Sequence, residues 1–298
     1  MINYTFIIPT RNIPLLLNRC LNSIPLRNDI QIIVVDDNSD PSVVDFNNYP
    51  GNDIPNVEIH YTKEGKGAGY ARNVGLNYVK GKWVIFADSD DFFSDDVESL
   101  LDDYANSDSD VIYFKVNSVN SNTLEPSNRA VGFNHYIDLF NANKIDSLEL
   151  GLNYCVPWGK IIRASVIKEH QIFYSETKAS NDVYFATQLS LSSRKIHVDN
   201  RCLYCITFRE GSLTNTQSLN ILYDRLNERL KRNQLLIDSG HKKRIGSVAY
   251  SILNIYKAAG FKETIKAINI VLKSSTPLFT GWRNWLSTIS FMKANKIS

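Results

Sequence analysis

Residues 83–91 read Trp83-Val84-Ile85-Phe86-Ala87-Asp88-Ser89-Asp90-Asp91, an apolar run closed by three carboxylates in four positions. The run Trp83–Ala87 predicts a buried strand. If the chain stays extended past Ala87, Asp88 and Asp90 point the same way, because side chains alternate along a strand. Two carboxylates side by side repel unless a cation lies between them. Magnesium or manganese is typically held by one or two carboxylates plus substrate phosphates. D-S-D therefore suggests a metal that bridges the protein to a diphosphate. The competing reading is that Asp90 and Asp91 begin the next turn or helix.

The flanking segments repeat the pattern of strand followed by polar residues. Tyr4–Pro9 predicts a strand ending in P-T-R-N (9–12), and Ile30–Val35 one ending in D-D-N-S (36–39). Ile30–Val35 is rich in β-branched residues, and Val57–Tyr61 and Val111–Val116 are further strands. Helical spacing covers Leu15–Ile24, with Leu16, Cys20 and Leu21 on one face, then Tyr70–Val79 and Asp95–Tyr104. The βαβ rhythm predicts a mostly parallel α/β sheet with helices on both faces. In such sheets ligands bind at the carboxyl ends of strands, so three polar clusters at three strand ends point to one shared site. Between them, Gly65-Lys66-Gly67-Ala68-Gly69-Tyr70-Ala71-Arg72-Asn73 is a glycine-rich turn before a helix. Its backbone N–H groups suit an anion, although it is neither a dinucleotide fingerprint nor a P-loop. An ordinary surface loop is the alternative.

Further along, 117–132 is polar and predicts an exposed loop, and 134–150 predicts a helix. Residues 155–195 hold a Trp-Gly turn and two helical stretches. Lys195–Phe208 predicts a strand, and from about Asn220 the chain reads as helical. The 298 residues are 43% hydrophobic and 21% charged, ordinary for a globular chain. No apolar run approaches the roughly 20 residues of a membrane span, and the start lacks a basic signal-peptide region; a cytoplasmic protein is the expectation. The four cysteines include C-L-Y-C (202–205), but no second ligand pair completes a zinc site, so reduced structural thiols are expected. His197, alone in a strand-like run, reads as structural before it reads as a ligand.

In order and spacing, F-I-I-P-T-R-N, I-I-V-V-D-D-N-S, G-A-G-Y-A-R-N-V-G and V-I-F-A-D-S-D-D resemble family 2 glycosyltransferases of the GT-A fold, over roughly residues 4–110. A looser match continues through Val156–Lys160, Ser180–Phe185 and Arg209–Thr214. The resemblance implies an inverting, metal-dependent transferase with a UDP-sugar donor and a glycan or lipid-linked acceptor, in cell-surface polysaccharide synthesis. It implies that Pro9, Thr10 and Asp37 hold base and ribose, with Gly67, Asp88 and Ser89 also on the nucleotide-sugar side. Asp90 would ligate manganese or magnesium. Arg72 and Asn73 would brace the D-x-D turn or the donor phosphate. Asp182 matches the general base, and Trp158 would floor the acceptor pocket unless it is a core residue. Two departures stand out: Arg11 replaces a base-stacking aromatic, and Asn181 replaces a Glu before Asp182. The alternative for Asp182 is a helix-start carboxylate, a role Ser180 could fill.

The expected organisation is a glycosyltransferase domain over 1–215, with a nucleotide-sugar half (1–115) and an acceptor half (116–215), then a helical region over 216–298. From residue 220 on there are 14 Lys and Arg against 4 Asp and Glu, a net +10; the preceding residues hold 19 against 27, a net −8. Leu278, Trp282, Trp285, Leu286, Ile289 and Met292 recur at helical spacing. The basic C-terminal helices thus suit either peripheral contact with the inner face of a membrane or packing on the domain. No nucleic-acid motif is present. A nucleotidyltransferase and a non-catalytic sugar-binding module are the competing functions; the latter would keep Asp182 far from D-x-D.

Overall fold

A computed structural model describes residues 1–208 and 218–278. Its centre is one eight-stranded sheet in the order β3-β2-β1-β4-β7-β6-β8-β5. Strands β1 (Tyr4–Thr10), β2 (Ile30–Asp36), β3 (Val57–Tyr61) and β4 (Trp83–Phe86) form its parallel half. The register sets Ile7 beside Ile33 and Phe86, so successive polar strand ends finish at one edge. Every residue of β1, β2 and β4 is buried, as expected of strands covered on both faces.

The second half is mixed. Strand β7 (Lys160–Arg163) runs antiparallel to both β4 and β6 (Val111–Asn120), while β8 (Ile196–Phe208) is parallel to β6. A two-residue strand, β5 (Phe92–Phe93), lies antiparallel to β8. The expected mostly parallel sheet is therefore parallel through β4 and mixed beyond it, where β6 and β8 are the one parallel pair among the described residues. β7 escapes a periodicity reading because it is four residues long. It emerges from the Trp158-Gly159 turn, where Gly159 takes φ 69°.

Helix α1 (Pro14–Asn22) buries Leu17, Cys20 and Leu21. Helix α2 (Ala68–Leu76) lies so close to the sheet that a Cβ on Gly75 would meet Ile7 Cγ2 at 2.6 Å. Helix α3 (Val97–Tyr104) precedes β6. The helix expected over 134–150 is two helices, α4 (Val131–Asn141) and α5 (Ser147–Asn153). Asn143 takes a left-handed conformation between them, and the Asp146 side chain accepts from the Glu149 N–H at 2.8 Å. That is the first half of an Asp-x-x-Glu capping box. The loop expected over 117–132 is strand as far as Asn120. Helices α6 (Ala164–Glu169) and α7 (Asn181–Ser192) follow.

Helices α8 (Leu219–Asp238) and α9 (Ala249–Leu272) enclose a second apolar cluster around Leu222, Leu226, Ile255 and Val271. Gly260, at φ 71°, interrupts α9. A third cluster of Leu152, Leu236 and Ile245 joins α8 to α5. Beside it, Arg244 pairs with Asp146 and Glu149. Glu228, fully buried on α8, accepts from Ser175 Oγ at 2.6 Å. The helical layer is thus packed against the sheet domain. No described helix is long and apolar enough to cross a membrane. Arg209–Thr214 and most of the stretch 278–292 lie outside the described residues.

Candidate active site

The ends of β1 and β2 are tied together by short-range bonds. The Asp37 N–H donates to the Thr10 carbonyl at 2.9 Å, the Asn12 N–H to Ser39 Oγ at 2.8 Å, and the Asp40 N–H to Asn12 Oδ1 at 2.7 Å. Asn12 and Asn38 both take left-handed backbone, which Asn tolerates better than other non-glycine residues. Buried Asp36 accepts from the Ser39 N–H and from Tyr49 Oη.

Asp37, also buried, reaches the glycine-rich turn. It accepts from the Gly67 N–H at 2.6 Å, the Lys66 N–H at 3.2 Å and Thr62 Oγ1 at 3.1 Å. Gly67, the residue just before α2, has φ 101°, a conformation that a Cβ would strain. Asp37 therefore acts on its surroundings through the turn it holds. Pro9 and Thr10 are buried at the strand end. Arg11 is exposed, with its guanidinium against Gly65.

Past β4 the chain does not stay extended. The Asp91 N–H donates to the Asp88 carbonyl at 3.0 Å, so D-S-D-D is a turn. Exposure still alternates: Asp88 and Asp90 are part-exposed, Ser89 and Asp91 buried. Three neighbours fix the turn. The Asp88 N–H donates to Tyr204 Oη at 2.8 Å, Thr207 Oγ1 donates to the Asp90 carbonyl at 2.9 Å, and Arg19 donates to that same carbonyl. The Asp91 carboxyl accepts from the Thr207 N–H at 2.6 Å. Burial, then Asp90 and Asp88, push the Asp91 pKa well above the usual carboxylate range. That shift favours the neutral, protonated form of Asp91. Asp90 with Asp88 offers the hard oxygen donors that magnesium or manganese takes, leaving the rest of the shell to phosphate and water. Among the described residues no three His, Cys, Asp or Glu side chains converge as an all-protein metal cage.

Arg72 connects this turn to α7. Only 4% exposed, it pairs with Asp88 through one terminal nitrogen and donates to Asn181 Oδ1 at 3.0 Å through the other. Its guanidinium also lies 5.1 Å from the Tyr174 ring centre. The contact with Asn181 requires α2 to touch the start of α7, and Gly69 permits this: a Cβ there would sit 2.2 Å from the Ser175 carbonyl oxygen and 2.9 Å from Asn181 Cβ. Asn73, on the same helix, is engaged elsewhere. Its amide exchanges two hydrogen bonds with the Tyr174 backbone, at 2.9 and 2.8 Å.

Asp182 occupies the first turn of α7. Ser180 does not cap that helix with its side chain; it takes φ 56° and makes no capping bond. Asp182 is part-exposed yet closely surrounded. Burial raises its pKa to about 6, while Arg72 pulls it down and Asp88 pushes it up. Asp182, Arg72 and Asp88 therefore form one electrostatic group, and Asp182 lies near the D-x-D turn. Trp158 is 3% exposed and stacks on Tyr204 with ring centres 5.8 Å apart. It is a core residue, and the expected role as an open acceptor floor does not fit this placement. His197 is exposed beside Tyr104, and the cysteines are free thiols.

Arg19, Tyr204 and Thr207 were absent from the sequence reading. Arg19 sits one helix away from the turn it holds, and the other two come from a strand over a hundred residues downstream. No local pattern links them to Asp88–Asp91.

A half-parallel sheet with its polar strand ends gathered around an acidic turn defines a GT-A-type α/β protein. The family described as Glycosyl transferase family 2 matches residues 5–171. The chain belongs to that family. Curated relatives include Glycosyltransferase GlyA of Streptococcus pneumoniae, 27% identical over 76% of this chain and 34% of that one. Another is a poly(ribitol-phosphate) beta-glucosyltransferase of Bacillus spizizenii, 30% identical over 70% of this chain and 32% of that one. The chain spans about a third of the length of these relatives. The crystal structure of Staphylococcus aureus TarS 1–349 in complex with UDP-GlcNAc superposes with a TM-score of 0.61 at 21% identity, covering 86% of this chain and 73% of that one.

Proposed function

We propose that the protein is an inverting glycosyltransferase that moves a hexosyl or N-acetylhexosaminyl group from a UDP-sugar to a hydroxyl of a surface-glycan acceptor. The observation that carries this reading is the bridge from Asp88 through Arg72 to Asn181. It sets a carboxylate with a raised pKa beside the acidic turn. A binding module has no need of that arrangement, and a nucleotidyltransferase would want its glycine-rich loop directly after β1.

In this reading the nucleotide lies over the ends of β1 and β2, against Thr10, Arg11 and the turn that Asp37 holds through Gly67. Asp90, with Asp88, would hold a divalent metal, whose charge would offset that developing on the leaving diphosphate. Asp182 accepts the acceptor hydroxyl proton as its oxygen attacks the anomeric carbon; the bond to the diphosphate breaks on the opposite side. One glycosidic bond replaces one sugar–phosphate bond, and UDP leaves. The names of the relatives favour a polyol-phosphate acceptor, with a lipid-linked glycan as the other candidate. Residues 1–215 would carry the chemistry, with 216–298 extending the acceptor side.

The protein would work in the cytoplasm at the inner face of the membrane. On α9, Tyr250, Leu253, Tyr256, Phe261 and Ile265 are exposed, Phe261 by 73%, and Lys257, Lys262 and Lys266 lie among them. Apolar and aromatic residues among lysines suit an anionic interface.

The test is a donor panel with manganese or magnesium, reading nucleoside diphosphate release with and without chelator. Release from one UDP-sugar, lost on chelation and in Asp90→Ala, is expected. If no donor is turned over and UDP does not bind, the reading fails.

A further inference from the structure

Glu228 on α8 is fully buried, yet the reaction proposed above gives its carboxylate nothing to do. One of its oxygens accepts from Lys231 Nζ at 2.7 Å, and that lysine side chain is half exposed. The other accepts from Ser175 Oγ at 2.6 Å, and Ser175 is itself buried. Taking a carboxylate out of water is costly, and an apolar side chain would serve packing between α8 and the sheet domain as well or better. What the carboxylate supplies is a fixed acceptor for Ser175.

Ser175 leads straight to the proposed base. Its N–H donates to the Asn181 carbonyl at 3.2 Å. That carbonyl belongs to the peptide unit joining Asn181 to Asp182, and a peptide unit is planar. Two hydrogen bonds, one residue and one rigid peptide therefore connect Glu228 to the Cα of Asp182. The segment between, residues 174–181, is held from two sides. From α2, Asn73 exchanges two hydrogen bonds with the Tyr174 backbone, and Gly69 lets the Ser175 carbonyl come close. From α8, Asp224 accepts from the Lys178 N–H at 3.2 Å, beside the bond that Glu228 makes. Ser180 takes φ 56° at the end of the segment, a conformation that persists in a serine where the surroundings impose it.

We propose that Glu228, assisted by Asp224, is a positioning residue for Asp182: by holding Ser175 it fixes the peptide unit that aims the carboxylate. This rests on the glycosyltransferase reading and carries its machinery beyond residue 215, since α8 becomes one wall of the site. Lys231 pairs with Glu228 but has no part in this path, so the acceptor oxygen matters and the charge does not.

The test uses the full chain and three variants. Glu228→Met and Ser175→Ala each remove the hydrogen bond, from opposite ends, so the second stands in should the first fail to fold. Glu228→Gln loses the pair with Lys231 but keeps an oxygen that can accept from Ser175 Oγ. UDP release to water is measured with manganese and the UDP-sugar that the donor panel selects, together with UDP affinity by calorimetry and backbone amide exchange. Glu228→Met and Ser175→Ala are expected to lower kcat by about tenfold to a hundredfold, the scale of a small misplacement of a catalytic group, with UDP affinity unchanged. Amides over 174–183 should exchange faster while those of β1 stay protected, and Glu228→Gln should restore both kcat and protection. Unchanged kcat in Ser175→Ala overturns the proposal. So does a Glu228→Gln variant as impaired as Glu228→Met, or faster exchange that spreads through β1, the mark of a purely structural glutamate. If wild type turns over no UDP-sugar, the transferase reading fails by itself. The exchange data then decide alone whether α8 fixes the start of α7, and unaltered exchange over 174–183 in Ser175→Ala overturns that too.

Discussion

Arg72 lowers the proton affinity of Asp182 across the contact between α2 and α7, and burial outweighs it, leaving the Asp182 pKa at about 6. Turnover that requires the carboxylate therefore falls below about pH 6, by roughly tenfold per unit in kcat/KM. Stability follows with the opposite sense. The folded pKa lies above the ordinary 3.8, so the folded state binds more protons between the two values. Stability then falls as pH rises through that window, and the penalty is complete above about 6. Asp182→Asn should lose roughly a hundredfold or more in activity yet melt higher than wild type at pH 7–8. That gain should fade towards pH 4. Melting curves across pH check it, and a variant less stable at pH 8 would refute the buried-carboxylate account.

Replacing Arg72 should move that same limb. Arg72 pulls the Asp182 pKa down, so Arg72→Met should shift the acid limb of kcat/KM to higher pH as well as lowering activity. Arg72→Lys should rescue little, because a single ammonium cannot span Asp88 and Asn181 as the guanidinium fork does. An unshifted limb in Arg72→Met would mean that Asp182 and Arg72 are not coupled.

The parallel half of the sheet was legible because β1, β2 and β4 are continuous apolar runs bounded by polar ends. The candidate residues at their ends, such as Asp37 and Asp88, stand out in the sequence with them. Residues whose roles depend on distant partners were not. Asn73 follows Arg72 in the sequence, yet the helix turns its amide to Tyr174 and away from the acidic turn. Trp158 was open to two readings, an acceptor floor or a core residue, and Phe133 and Tyr204 enclose it. Asp88 and Asp90 were expected to share a side through extension; the turn gives both partial exposure by a different route.

Gly69 sets the distance between the two halves of the site. Its added Cβ would overlap the Ser175 carbonyl oxygen, a backbone atom that cannot swing aside. Gly69→Ala should force α2 away from α7 and separate Arg72 from Asn181. A stability loss of about 1–3 kcal/mol is expected from such overpacking, together with a larger loss of kcat than of UDP affinity. Full activity in Gly69→Ala would show that the contact is not needed.

Tyr204 holds the acidic turn from β8 by accepting the Asp88 N–H. Tyr204→Phe keeps the ring stacked on Trp158 and removes that acceptor, leaving a donor unsatisfied at a cost of about 1–3 kcal/mol. Since the loosened turn carries Asp90, the manganese concentration needed for half-maximal activity should rise several-fold. A metal titration of wild type and variant reads this directly, and superimposable titrations would separate Tyr204 from the metal.

The exposed face of α9 makes the last prediction. Phe261 and Tyr256 are exposed on a helix that packs against α8, and Lys257, Lys262 and Lys266 beside them would meet anionic headgroups. The full chain should co-sediment with vesicles containing phosphatidylglycerol, and much less with neutral vesicles or at high salt, where such attraction is screened. Phe261→Glu with Tyr256→Glu should abolish co-sedimentation while leaving release of UDP to water unchanged, because α9 lies apart from Asp90 and Asp182 in the proposed mechanism. Equal sedimentation of the double variant would exclude α9 as the contact.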